Sequence, residues 1–137
     1  MVSLTDFINY CNNRGEGDIV EFGTFSGNST KKIASKWNKG KLFTIDGWKG
    51  LPTGTKSEVV KLLEPFNHVK MIDSWIDELD EPDTYGIGTL VGSNVDVDIY
   101  ESTIDSLKYL DKCRWLNNEL IVRFDDWDYH GTKSFRD

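Results

Sequence analysis

Carboxylates follow two apolar runs in the second half of the chain. Residues 95–103 read VDVDIYEST, and the apolar run that ends at Phe124 continues directly into Asp125 and Asp126. If the two runs are neighbouring strands, three or four acids lie at one edge of a sheet. Crowded carboxylates repel one another and burial raises their pKa values, so such a cluster usually persists because a hard cation or strong donors neutralise it. The spacing therefore suggests a divalent metal site.

A glycine-containing loop near the N-terminus is the second feature with chemical potential. An apolar run carrying Glu21 opens into residues 23–30, GTFSGNST. The next apolar run ends at Asp46, 25 residues after Glu21, which is about where dinucleotide folds place a ribose-binding acid. Glu21 would attract a cationic amino-acid group, directly or through water, while Asp46 accepts hydrogen bonds from ribose. This chemistry suits S-adenosylmethionine; the alternative is an ordinary strand-to-helix turn.

Helices and strands alternate along the whole chain. Helical spacing of apolar residues predicts helices at the segment containing Leu4 to Cys11 and at residues 31–37, 56–66 and 100–110, with a one- or two-turn helix within 75–83. Short apolar runs predict strands at residues 18–22, 41–46, 68–72, 88–98 and 119–124. The fourth strand has a polar centre at Ser93 and Asn94. One domain over residues 1–137 is expected, an α/β fold with a doubly wound, mostly parallel five-stranded Rossmann-like sheet and helices on both faces.

Four motifs carry a family resemblance. VEFGTFSGNST, FTIDGWKGLP, VDVDIYEST and IVRFDDW occur in this order over residues 20–127. The series resembles the class I, Rossmann-like S-adenosylmethionine-dependent methyltransferases. It looks most like a truncated member of the macrocin O-methyltransferase branch, whose metal-dependent enzymes act on sugar hydroxyls of natural products. The resemblance implies S-adenosyl-L-methionine and Mg²⁺ as cofactors.

The resemblance also assigns residues to roles. Glu21, Gly23 and Gly27 are expected to contact the methionine part, Asp46 the ribose, and the turn at residues 72–75 the adenine. The full set expected to bind the cofactor is Glu21, Gly23, Thr24, Phe25, Gly27, Ser29, Asp46, Gly47, Trp48, Asp73, Ser74, Trp75 and Asp96. The expected magnesium ligands are Asp96, Asp125 and Asp126, with Asp98 as the rival for the first position.

A magnesium ion would chelate two vicinal hydroxyls, orient one oxygen towards the sulfonium methyl and lower the hydroxyl pKa. Methyl transfer is then an in-line displacement that depends on alignment. His130, four residues after Asp126, is the expected proton acceptor ahead of His68, and Asp96 is the other expected catalytic residue. A solvated surface histidine is the alternative for His130.

Composition limits the partners. The chain has 16 Lys and Arg against 23 Asp and Glu, a formal charge of −7, which disfavours nucleic acid. Cys11 and Cys113 are isolated, so neither a disulfide framework nor a zinc site is expected, and a cytoplasmic location follows. No signal peptide or membrane span is predicted. A small-molecule or glycan acceptor is expected instead.

The end of the chain bears on assembly. Only ten residues follow Trp127, too few for the two last strands that usually complete the family's sheet. A fifth strand with an uncovered edge predicts a homo-oligomer.

Several residues have structural alternatives. Asp98 and Glu101 fit the amino end of the predicted helix 100–110, and Asp98 is favoured as its N-cap. Trp48, Trp75 and Trp127 either line a cleft or cover the rim of the sheet, and the acids of residues 77–83 fit a solvated face. At the level of the whole protein, the alternatives to a methyltransferase are a degenerate protein that binds S-adenosylmethionine or S-adenosylhomocysteine without activity, and a structural or interaction protein that retains the fold.

Overall fold

The computed structural model describes residues 2–49 and 51–125. Its elements are α1 (Leu4–Arg14), β1 (Asp18–Phe22), α2 (Asn28–Lys36), β2 (Leu42–Asp46), α3 (Thr55–Leu63), β3 (Val69–Asp73), α4 (Pro82–Tyr85), β4 (Leu90–Val95), α5 (Tyr100–Asp111) and β5 (Ile121–Phe124). Short 3₁₀ turns cover Ile76–Glu78 and Leu116–Asn118.

The five strands form one parallel sheet in the order β3-β2-β1-β4-β5. The chain runs outwards from β1 through β2 to β3, and then returns to place β4 on the other side of β1. This reversal is the topological switch point, where the carboxyl ends of β1 and β4 leave a crevice. The doubly wound, Rossmann-like fold is therefore confirmed.

Both faces of the sheet are covered by helices. One core lies under α1 and α2 and contains Phe7, Ile8, Ile33 and Trp37 against strand residues such as Ile19. The other core lies under α4 and α5, and its strand residues are Val20, Phe22, Phe43, Ile45, Ile72, Leu90 and Val95. Alternate residues of the strands point to opposite faces, so each strand contributes to both cores.

The observed boundaries differ most from the predicted ones at four places. α2 begins at Asn28 because Gly27 takes a left-handed conformation and serves as its N-cap. α3 ends at Leu63, shortly before Pro65, and its Val60 is exposed. β4 covers only Leu90–Val95, and the acidic segment after β3 forms a 3₁₀ turn and a separate short helix.

Gly92 explains part of the unusual composition of β4. A Cβ at this position would lie 2.5 Å from Cys11 Sγ and 3.1 Å from the Phe7 ring. Glycine therefore lets α1 pack directly on the strand. Both cysteines are free, and burial raises the pKa of the Cys11 thiol to about 12.

Within residues 2–49 and 51–125, the search for a helix that could cross a membrane finds none.

Candidate functional site

An open cleft lies at the carboxyl ends of β1, β2, β3 and β4, over the switch point. Its volume is about 170 Å³. Its lining residues are Gly23, Phe25, Ile45, Asp46, Gly47, Ser74, Trp75, Ile76, Asp77, Val97, Asp98, Ile99, Ser102 and Asp105.

The loop between β1 and α2 forms one wall of the cleft in a strained conformation. Gly23, Phe25 and Gly27 all have positive φ, at 94°, 50° and 84°. Any Cβ on Gly23 would overlap the backbone carbonyl of Asp96, so glycine permits the close approach of the two loops at the switch point. A non-glycine residue at positive φ, such as Phe25, persists only where the surroundings hold it.

Asp46 provides one of these restraints. Its Oδ2 accepts a hydrogen bond from the Phe25 backbone N–H at 2.7 Å, and its Oδ1 accepts one from the Trp48 N–H at 2.8 Å. Trp48 reaches back to donate from Nε1 to the Phe25 carbonyl at 3.1 Å. Each carboxylate oxygen has a second lone pair, so Asp46 remains able to accept hydrogen bonds from a ligand in the cleft.

Glu21 restrains the same loop from the side of the sheet that α2 covers. Its side chain is fully buried on the α2 side of the sheet and does not line the cleft. Ser29 Oγ donates to its Oε2 at 2.8 Å, the Thr44 hydroxyl donates to its Oε1 at 3.0 Å, and Thr30 makes a further short hydrogen bond. Burial raises the pKa of the Glu21 carboxyl, and the hydrogen bonds oppose this effect.

The opposite wall comes from the segments after β3 and β4. Trp75 lies against Gly47, where a Cβ would be 3.1 Å from the indole ring, and its side chain is 42% exposed. Asp98 lines the cleft, and the N-cap of α5 is Ile99 with no side-chain cap. The expectation that Asp98 caps α5 is therefore wrong, whereas Glu101 does lie in the first turn of that helix.

The charged side chains in the described lining of the cleft are all acidic. Asp46, Asp77, Asp98 and Asp105 line it, and its described lining includes neither lysine nor arginine. The apolar part of the lining comes from Phe25, Ile45, Trp75, Ile76, Val97 and Ile99. A cleft of this composition favours a ligand with apolar surface, hydroxyl groups and positive charge, and it repels phosphate.

The edge formed by β4 and β5 carries two of the expected metal ligands, Asp96 and Asp125. Val95 pairs with Phe124, so Asp96 and Asp125 follow neighbouring strand ends. Arg123 Nη2 donates to Asp125 Oδ1 at 2.9 Å. Within the described residues no group of three His, Cys, Asp or Glu side chains could hold a metal ion. The described carboxylates have the donor chemistry of a magnesium site, but they supply two of the three expected ligands.

Three expected residues, Asp126, Trp127 and His130, lie outside the described residues. His68 lies at the opposite end of the sheet, just before β3, where its Nε2 is 3.0 Å from the Ala34 carbonyl oxygen. That hydrogen bond gives His68 a structural role.

Six of the thirteen expected cofactor residues line the cleft, namely Gly23, Phe25, Asp46, Gly47, Ser74 and Trp75. Thr24 and Gly27 belong to the loop but do not line the cleft, and Glu21, Ser29 and Trp48 hold the loop from behind. Thr24 bonds to the Thr44 hydroxyl at 2.5 Å, and Trp48 is buried beside Val59 and Leu63. Asp73 is exposed and pairs with Lys56 at 2.5 Å.

Sequence reasoning missed the lining contributed by the loop after β4 and by α5. Val97, Ile99, Ser102 and Asp105 lie on the cleft side of that segment, and the spacing of Asp98, Ser102 and Asp105 at about one helical turn was the available signal. Asp77 also lines the cleft, although the acids of residues 77–83 were expected to form a solvated face.

Solved structures with the same fold include several methyltransferases. A Staphylococcus aureus protein provisionally assigned as a caffeoyl-CoA O-methyltransferase superposes with a TM-score of 0.74 at 18% identity, over 98% of this chain and 61% of that one. An O-methyltransferase from Bacillus cereus in complex with SAH gives 0.60 at 19% identity, over 83% and 54%. Fibrillarin from Aeropyrum pernix with natively bound S-adenosyl-L-methionine gives 0.59 at 13% identity, over 80% and 46%.

No protein-family model matches the sequence, and the search of curated proteins finds no match. The chain spans less than two thirds of the length of each structure described above. At these identities the similarity establishes the fold: this chain has the Rossmann-like fold found in S-adenosylmethionine-dependent methyltransferases.

Proposed function

We propose that this protein is an S-adenosylmethionine-dependent O-methyltransferase that acts on a hydroxyl group of a small molecule or glycan. The observation that carries the proposal is the acidic cleft at the switch point, bounded by a strained glycine loop and by Asp46. The fold shared with methyltransferases supports it.

Charge separates this cofactor from other nucleosides. S-adenosylmethionine carries a sulfonium and an ammonium against one carboxylate, so it is a net cation, whereas dinucleotides and ATP carry phosphates. A lining with four aspartates and no described basic residue stabilises the former and repels the latter. S-adenosylmethionine therefore carries the charge opposite to that of the cleft, whereas a phosphate-bearing nucleoside carries the same sign.

Each part of the cofactor has a matching group in the chain. Asp46, already oriented by two backbone N–H donors, would accept hydrogen bonds from the ribose hydroxyls. Trp75 and Ile99, both partly exposed on the cleft walls, offer apolar surface to adenine. Gly23 and Phe25, in the loop before α2, line the cleft and would contact the methionine part.

Methyl transfer requires the acceptor oxygen, the methyl carbon and the sulfur to be held in line. In this proposal the glycine loop and Asp46 fix the donor, and the edge formed by β4 and β5 fixes the acceptor. His130 is proposed to accept the proton of the acceptor hydroxyl.

Magnesium dependence is the finer part of the proposal. Asp96, Asp125 and Asp126 would hold the ion, which when bound supplies a Lewis acid that lowers the pKa of an acceptor hydroxyl. The support is that Asp96 and Asp125 follow paired residues of neighbouring strands. The overall charge of −7 favours a small acceptor over RNA.

Calorimetric titration tests the cofactor assignment. Wild-type protein is expected to bind S-adenosylmethionine and S-adenosylhomocysteine and to give no heat with ATP. Asp46→Ala removes both the ribose acceptor and a restraint on Phe25, so it is expected to weaken binding by at least about tenfold. Asp111→Ala, an exposed acid at the far end of α5, is the matched control and should bind as wild type does.

The outcomes distinguish the alternatives. No heat with either adenosyl ligand would leave the interaction-protein interpretation. Binding without methylation of any catechol or diol acceptor, with and without magnesium, would indicate the degenerate binding protein. If acceptors are methylated and Asp125→Ala is as active as wild type, the metal assignment is wrong.

A further inference from the structure

One residue from each of four neighbouring strands forms a polar row across the sheet. Thr44 pairs with Glu21, Glu21 with Asn94, and Asn94 with Arg123. All four side chains are at most 8% exposed. Because residues in register point to the same face, the row lies on the side of the sheet that α1 and α2 cover.

Hydrogen bonds connect the row without a gap. Asn94 Nδ2 donates to Glu21 Oε2 at 3.0 Å, and Arg123 Nη1 donates to Asn94 Oδ1 at 2.9 Å. Arg123 also donates from Nε to the Val2 carbonyl at 3.0 Å and from Nη2 to Asp125. Asn94 is therefore the bridge between a buried carboxylate and a buried guanidinium, with one end of its amide committed to each.

Such a row is costly for a strand centre. A buried charged network seldom adds stability over well-packed apolar side chains, and a partly satisfied network is worse. Two residues earlier on the same face of the sheet, the paired residues Ile19 and Leu42 are apolar. Folding alone therefore does not account for polar residues in this row.

The position of the row indicates what it does. Glu21 holds Ser29 and Thr30, which stand at the start of α2 directly after the strained loop. At the other end, Arg123 holds Asp125, which follows the end of β5. The row thus joins the wall of the cofactor cleft to the edge where the acceptor is proposed to bind.

We infer that Asn94 and Arg123 are positioning residues for the cofactor loop, acting through Glu21 on Ser29 and Thr30. The inference rests on the proposed function, since it concerns how the same cleft is held in its binding conformation. Neither residue lines the cleft, so each acts only through the residues that hold the loop.

Asn94→Leu tests the inference by removing the bridge. Glu21 then loses a donor and Arg123 an acceptor, and the affinity for S-adenosylmethionine, measured by calorimetry on folded protein, is expected to fall by about tenfold. Ser93→Ala is the matched control. Ser93 is the neighbouring residue, equally buried, and donates to the Val20 carbonyl at 2.8 Å on the other face. Its loss should leave the affinity unchanged.

Exchanging the carboxylate at position 21 with the amide at position 94 separates a positioning role from an effect on overall stability. Asn94→Asp puts a second carboxylate beside Glu21 and is expected to weaken binding as Asn94→Leu does. Adding Glu21→Gln reverses the donor and acceptor, because the introduced glutamine amide then donates to the new aspartate, which pairs with Arg123. This double variant is expected to bind within about twofold of wild type.

Hydrogen exchange on the same proteins measures directly how well the loop is held in place. Amides from Gly23 to Thr30 should exchange faster in Asn94→Asp and return towards wild-type rates in the double variant. Wild-type protein that binds no S-adenosylmethionine would reject the proposed function. Wild-type binding combined with equal affinity of Asn94→Leu, or of Asn94→Asp should the leucine variant not fold, would overturn the positioning role alone.

Discussion

The two faces of the sheet differ most where they approach the cleft. On the face against α4 and α5, the buried strand residues are apolar except for Ser93, and they include Val20, Phe22, Ile45 and Val95. On the face against α1 and α2, an apolar row is followed by the polar row of Thr44, Glu21, Asn94 and Arg123. Both faces carry an apolar core, and the polar row of the second face adds hydrogen bonds to Ser29 and Thr30 at the start of α2.

The largest expected effect comes from the apolar face. Phe22→Ala removes a fully buried ring that contacts Tyr109 edge-on at 6.3 Å, and we expect a loss of about 3–5 kcal/mol in the free energy of unfolding. Urea denaturation provides the measurement. Tyr10→Ala, on the exposed side of α1, should change stability by less than about 0.5 kcal/mol. Equal effects of the two substitutions would contradict the assigned core.

Gly92→Ala probes the packing of α1 on the polar-row face. The new Cβ would meet Cys11 Sγ at 2.5 Å, so an overpacking cost of about 1–3 kcal/mol is expected in urea denaturation. In a Cys11→Ala background the same substitution should cost less, because the sulfur has been removed. A cost that is identical in both backgrounds would show that the helix does not approach the strand as described.

The smallest effect is a pH dependence specific to the polar row. Burial raises the pKa of Glu21 above its ordinary value of 4.5, so the folded protein binds this proton more tightly than the unfolded chain does. Its contribution to stability is therefore fully present below pH 4.5 and is lost as the pH rises through the raised value. Urea denaturation of wild type and Glu21→Gln over this range gives the comparison.

The free energy of unfolding of wild type minus that of Glu21→Gln should fall as the pH rises from 4.5 through the raised pKa of Glu21. A difference that rises with pH would mean that the hydrogen bonds from Ser29, Thr30, Thr44 and Asn94 outweigh the cost of burial. The corresponding pair on the apolar face, wild type and Phe22→Ala, should show no such trend.

The fold was predictable because its signals are local. The alternation of short apolar runs with segments of helical spacing is read within a few residues, and it predicted the five strands in correct order along the chain. Element ends were less accurate where tertiary contacts decide them. α2 starts at Asn28 because of the left-handed Gly27, which only the folded loop requires.

The site was predictable only in part, because side-chain direction is not local. Asp46 and Gly23 line the cleft, whereas Glu21 is fully buried and does not line it. The polar centre of β4 weakened the strand prediction, and its explanation lies in Arg123, 29 residues away. Such partners are visible only once the strands are paired.

The most direct test of the central claim is to locate the cofactor by NMR. Titration of ¹⁵N-labelled protein with S-adenosylmethionine is predicted to shift the amides of Gly23, Phe25, Gly47 and Trp75 most strongly. The amides lining the groove between α5 and β5, such as those of Leu107 and Trp115, should stay in place. Shifts concentrated in that groove, or no shifts at saturating cofactor, would contradict the proposal that the switch-point cleft binds S-adenosylmethionine.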